Sequence, residues 1–99
     1  MATGTIKTMN DAIVTQHVTV ASGGSSTTYY KDFTKAVSKS GYTAVGIVGT
    51  SWNIAGLYCY SSYITSGTVH VGLTRASGST ALSNVDIYAD VLWVRNDLL

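Results

Sequence analysis

Apolar and polar residues alternate with a period of two along most of this chain, in segments parted by Gly/Ser/Thr/Asn clusters. That rhythm, with a turn signal roughly every 8–12 residues, predicts the strands of a sandwich or barrel and not helices. The first segment, Ala12–Ala21, sets Val14, Val18 and Val20 on one face and Thr15, His17 and Thr19 on the other. Ser22–Thr28, with Gly23 and Gly24, reads as a loop. Tyr29–Lys35 alternates Tyr30, Asp32 and Thr34 against Tyr29, Lys31, Phe33 and Lys35. A turn at Lys39–Gly41 leads into Tyr42–Gly49, a continuous apolar run that reads as a strand buried on both faces. Thr50–Gly56 reads as a loop carrying Trp52 and Asn53, Leu57–Ile64 and Thr68–Arg75 as strands, and Ala76–Ser83 as a loop of small residues.

Asn84–Arg95 is the clearest strand. Val85, Ile87, Ala89, Val91 and Trp93 form one unbroken apolar face, which must be core. A register slip of one residue would expose all of it. The other face starts polar at Asp86 and Asp90, with Tyr88 between them, and ends apolar at Leu92 and Val94. A solvated face would not end in Leu and Val, so this end is expected to be covered, with Tyr88, Leu92 and Val94 as candidate oligomer-interface residues. The chain has no proline and few charges, the usual protections of sheet edges, so either a loop or another subunit covers them, and the subunit is the expectation.

Composition narrows the classes. The chain has 99 residues, enough for one domain with a single small core. Charged residues are 11% of it, against about 25% in an ordinary globular domain, while 45% is apolar, which is the wrong signature for disorder. Net charge is +1 with no Lys/Arg cluster, so nucleic acid is not an expected partner. Lys31, Lys35 and Lys39 read as a solvated turn region interrupted by Asp32. No apolar run approaches a membrane span, and residues 1–11 have no apolar core of a signal peptide. Cys59 is alone, which leaves neither a disulfide framework nor zinc-ligand spacing, and reads as a small buried hydrophobe.

No catalytic constellation emerges, and the chain is read as a non-enzyme. There is no G-x-S-x-G elbow, and Gly41–Gly46 runs on into Ile47 instead of the Lys-Ser/Thr of a phosphate loop. Asp86 and Asp90 share a strand face but stand roughly 13 Å apart, beyond the roughly 5–9.5 Å of a glycosidase pair. His17 and His70 each sit on a polar strand face outside any H-x-H or H-x-x-x-H pair. They are read as hydrogen-bonded surface histidines, with no metal and no cofactor expected. Aromatics are the richer signal, because Tyr and Trp stack on a ligand and hydrogen-bond it as well. Trp52, Asn53, Tyr58, Tyr60 and Tyr63 are the candidate ligand-binding residues, suited to a shallow sugar-binding surface. Tyr58 and Tyr60 fall on one strand face, where packing is the competing reading.

The stretch KDFTKAVSKSGYTAVGIVGTSWN, a tyrosine-rich strand, TVHVGLTRASGSTAL and NVDIYADVLWVR follow one another here. That order resembles the C-terminal modules of tail-fibre and minor structural proteins from phages and prophages of gut Firmicutes. The most specific parts are Ser40–Gly49 with Trp52 and Asn53, and Val85–Arg95, none of them a catalytic signature. The chain departs from the pattern at Thr50-Ser51, inserted between Gly49 and Trp52. The sequence also shows no long repetitive stalk of the kind such proteins carry, and the expectation is an isolated module or a very short gene product. The resemblance implies a small β-sandwich at a fibre tip in the virion tail, trimeric as a rule, that touches a host surface polysaccharide. The alternatives are a purely structural baseplate or fibre-assembly domain, and a bacterial carbohydrate-binding module that is secreted or held at the cell surface. The expected architecture is all-β, an antiparallel jelly-roll-like sandwich of about seven or eight strands, with an N-terminal arm or connection over residues 1–11 and the domain over 12–99.

Overall fold

The computed structural model describes residues 11–99. Six strands form two three-stranded antiparallel sheets. They are β1 (Ile13–Gly24), β2 (Tyr30–Ala36), β3 (Tyr42–Trp52), β4 (Leu57–Thr65), β5 (Thr68–Arg75) and β6 (Val85–Arg95), with a one-turn 3-10 helix at Asn96–Leu98. Sheet A has the order β1-β6-β3 and sheet B the order β2-β5-β4. The chain crosses between the sheets at every connection except β4–β5, a jelly-roll-like winding with fewer strands than the seven or eight expected. The shortfall has a simple cause: each alternating segment makes one strand, and the Ser/Gly/Thr loops contribute no further ones. Of the arm expected over residues 1–11, all but Asp11 lies outside the described residues.

The core lies between the two central strands. From β6 come Val85, Ile87, Ala89, Val91 and Trp93, all at least 98% buried, as its alternation requires. From β5 come Val69, Val71 and Leu73, and Phe33, Val20 and Leu57 close the sides. Leu82 plugs one end from the loop that composition marks as merely small; its backbone N–H donates to Thr28 O, and its carbonyl accepts from Ser26 N–H. Arg75 holds that loop by donating to the carbonyls of Thr80 and Ala81. Cys59 is half-buried against the core and not fully inside it.

Two expectations need correction. The run Tyr42–Gly49 is not buried on both faces: β3 is an edge strand, and Val45 and Val48 are exposed. Its register against β6 slips once between Ala44 and Gly46 and again between Ile47 and Gly49, so each valine is an extra residue at a β-bulge. Neither are the edges unprotected. Edge strand β1 carries two such slips, β3 two and β4 one, while β2 is unbulged but bears Lys31 and Lys35. Bulges and lysines are recognised ways of blunting an edge.

The β4–β5 hairpin closes through Ser66 and Gly67, with φ of 51° and 74°. Two consecutive positive φ values between the paired Thr65 and Thr68 make the tight primed turn whose twist matches the strands. This turn fixes the register across which the outer face of sheet B is built.

Candidate functional site: a tyrosine face on sheet B

Because Val69, Val71 and Leu73 point into the core, the alternate residues of β5 point outward, and the register names their neighbours. Tyr30, Thr74 and Tyr58 make one row across the sheet, and Thr34, His70 and Tyr63 make another. Between them lies Asp32, Gly72 and Ser61. Here β4 carries its extra residue, Tyr60, between Cys59 and Ser61. A Cβ on Gly72 would lie 2.6–3.0 Å from three atoms of the Tyr60 ring, so the ring rests on the bare backbone of Gly72. The glycine is what lets Tyr60 lie down on the sheet.

Five tyrosines are gathered here. Tyr29, Tyr30, Tyr58, Tyr60 and Tyr63 are each 42–52% exposed, and no phenol hydroxyl among them is hydrogen-bonded to another described residue. Tyr29 meets Tyr30 edge-to-face with centroids 5.1 Å apart. Tyr63 stacks on His70 at 4.3 Å, nearly parallel, and His70 Nδ1–H donates to Asp32 Oδ2 at 2.9 Å. Tyr29, Tyr30, Tyr58, Tyr60 and Thr74 line an open cleft of about 320 Å³. Burial against the sheet, and then the nearby Asp32 carboxylate, push the Tyr60 phenol above its ordinary value.

Of the five residues read from the sequence as ligand-binding, Tyr58, Tyr60 and Tyr63 come together on this face. Trp52 and Asn53 do not. Trp52 is the last residue of β3, opposite Ile87 on the core side of sheet A, and packs against the core. Asn53 is a structural clamp: its Oδ1 accepts from Asp86 N–H at 2.8 Å, and its Nδ2 donates to Asn84 O and to Asp86 Oδ2. Asp86 also accepts from Gly23 N–H, tying two loops to the start of β6. Tyr29, Tyr30, Asp32 and His70 were missed as site residues, although the alternation that groups Tyr30 with Asp32 was a usable signal.

The outer face of sheet A differs in kind. Its polar half holds His17, which stacks on Tyr88 and donates from Nδ1 to Asp90 at 2.8 Å. Its apolar half holds Leu92 and Val94, both half-buried, with exposed Ile13 opposite Val94 and exposed Val45 and Val48 on β3. Among the described residues no group of three or more His, Cys, Asp or Glu is placed to hold a metal ion, and no helix is long and apolar enough to cross a membrane. No protein-family model matches the chain, and no curated protein and no solved structure shows significant similarity to it.

Proposed function

We propose that this chain is a non-enzymatic adhesion module of the phage tail-fibre-tip type, carried on the virion tail, which recognises a bacterial cell-surface glycan through the tyrosine face of sheet B. The observation that carries the reading is the set of four half-exposed tyrosines, Tyr30, Tyr58, Tyr60 and Tyr63, on one hydrogen-bonded sheet face, with Tyr29 closing the cleft beside them. Sugars present apolar C–H faces and hydroxyls together, and tyrosine offers a ring and a phenol to match, at little entropic cost. A rigid sheet holds those rings in place before any ligand arrives, which removes part of the ordering cost of binding. The chain assembles as a homo-oligomer, with a trimer favoured, through the apolar half of the opposite face at Leu92 and Val94, with Tyr88 at its border. Assembly on sheet A leaves sheet B turned outward.

A panel of bacterial surface glycans tests the reading. The parent chain binds at least one of them, and Tyr58→Ala and Tyr60→Ala each weaken that binding at least about fivefold, as truncating a contact anchor does. Gly72→Ala keeps every tyrosine but puts a methyl group where the Tyr60 ring lies, and weakens binding in the same direction. Should no glycan bind, the chain is a structural fibre-assembly domain.

A further inference from the structure

Resting on the glycan reading above, we infer that the tyrosine cleft takes a saccharide bearing a positively charged ammonium group, held over the ring faces of Tyr30, Tyr58 and Tyr60 with Asp32 as its counter-ion.

The argument starts from strand alternation. Asp32 stands opposite Gly72 and so belongs to the outer face, in the row where the Tyr60 ring lies. Lys31, Lys35 and Arg75 stand opposite Leu73, Val69 and Leu57, on the alternate phase. Lys31 Nζ is drawn to the carbonyl of Ser25, and Arg75 to the loop at Thr80 and Ala81. The three strands of sheet B thus send their carboxylate to the tyrosine side and their lysines and arginine away from it. Asp32 is 39% exposed, and only its Oδ2 is engaged, by His70. Its other oxygen faces no donor among the described residues.

A tyrosine ring presents a negative π face, which attracts a cation within about 6 Å of its centroid. Four tyrosines around one cleft, with the Asp32 carboxylate in the adjoining row of the sheet and no lysine or arginine in that row, reproduce the elements of an aromatic cage. The same charge pattern disfavours phosphate-rich or uronic-acid polymers, which would meet Asp32 with like charge. A neutral sugar would use the rings and give the carboxylate hydroxyl hydrogen bonds, without the charge attraction that an ammonium adds.

The test is calorimetry at pH 7 and low salt with three probes: glucosamine oligosaccharides whose amines are permanently charged as trimethylammonium, the same oligosaccharides N-acetylated, and free choline. The charged oligosaccharide binds roughly tenfold more tightly than its neutral twin. Asp32→Asn, which keeps shape and removes charge, erases most of that preference, while Tyr60→Ala weakens both; a β-type circular dichroism spectrum certifies each variant. Equal or tighter binding of the neutral oligosaccharide overturns the ammonium assignment and leaves the glycan reading standing. Choline binding as tightly as the charged oligosaccharide overturns the saccharide commitment in favour of a choline headgroup. Failure of every probe, together with an empty glycan panel, removes both readings.

Discussion

At the scale of single residues, Gly72 and Tyr60 illustrate how one absent side chain sets the position of another. Tyr60 is the extra residue of a bulge, and a bulge re-aims the side chain it carries. Without a Cβ at position 72 the ring settles on the backbone, where it is partly desolvated and next to Asp32. Both effects disfavour the phenolate, so the folded-state pKa of Tyr60 lies above that of the unfolded chain. The stabilisation tied to this shift is fully present below the ordinary phenol range and is lost as pH rises through the folded value. Alkaline titration followed by tyrosine absorbance or NMR should find Tyr60 ionising above the ordinary phenol range. In Asp32→Asn it should move back only part of the way, because burial, the larger cause, remains. A return to the ordinary value would mean that the charge, and not burial, dominates.

The same residue explains how much of the site was legible. Strict alternation from Tyr58 puts Tyr60 on its own face and Tyr63 on the opposite one. The bulge shifts the phase by one residue and brings all three to the same side. Nothing in LYCYSSYI announces a bulge, because its cause, the space over Gly72, lies on the neighbouring strand. Trp52 failed for the complementary reason. Its position after an apolar run suggested a loop, yet pairing continues through Ser51 and Trp52 and carries the indole to the core side. Distant pairing, invisible in a single segment, decided both.

At the scale of elements, the two central strands were the most legible because each is regular. The burial of β6 alternates from Val85 to Val94 without a break, as its sequence demanded. Edge strands were read less well, since their bulges break the period on which the reading depends. Regularity also predicts where stability is concentrated. Ile87→Ala and Trp93→Ala should each destabilise by about 2–5 kcal/mol in denaturant unfolding, from lost transfer energy and the cavity left behind. Trp93→Phe should cost clearly less than Trp93→Ala. It restores much of the volume and deletes an indole N–H that is buried without a hydrogen-bond partner among the described residues, a defect worth about 1–3 kcal/mol. A shift under about 0.5 kcal/mol for Ile87→Ala, the scale of a surface substitution, would contradict the placement of this strand.

At the scale of the whole molecule, the sandwich has two outer faces of opposite character. Sheet B shows tyrosines and a carboxylate, and one end of sheet A shows Ile13, Val45, Val48, Leu92 and Val94. Replacing Leu92 and Val94 with Thr keeps strand propensity and removes most of the apolar area, worth roughly 25 cal/mol per Å² if buried between subunits. The expected outcome at micromolar concentration is an oligomeric parent and a monomeric double variant with its β-type circular dichroism unchanged. Light scattering decides the matter. A monomeric parent sinks the assembly proposal at once, and a double variant that stays oligomeric moves the interface elsewhere.

The place of β6 between β1 and β3 has a consequence for how the chain reaches this state. Among the described residues β1 pairs in its sheet with β6, so Ile13 must wait for Val94, nearly the whole domain later in synthesis. Until then no described strand pairs with β1 or β3 in their own sheet, while the β4–β5 hairpin, closed by two residues, can form as soon as it is made. Pairings this distant in sequence belong to the slow, millisecond-to-second class of folding. Sheet B is therefore able to organise around its hairpin first, and sheet A completes only when the sixth strand inserts between two strands that have been waiting for it.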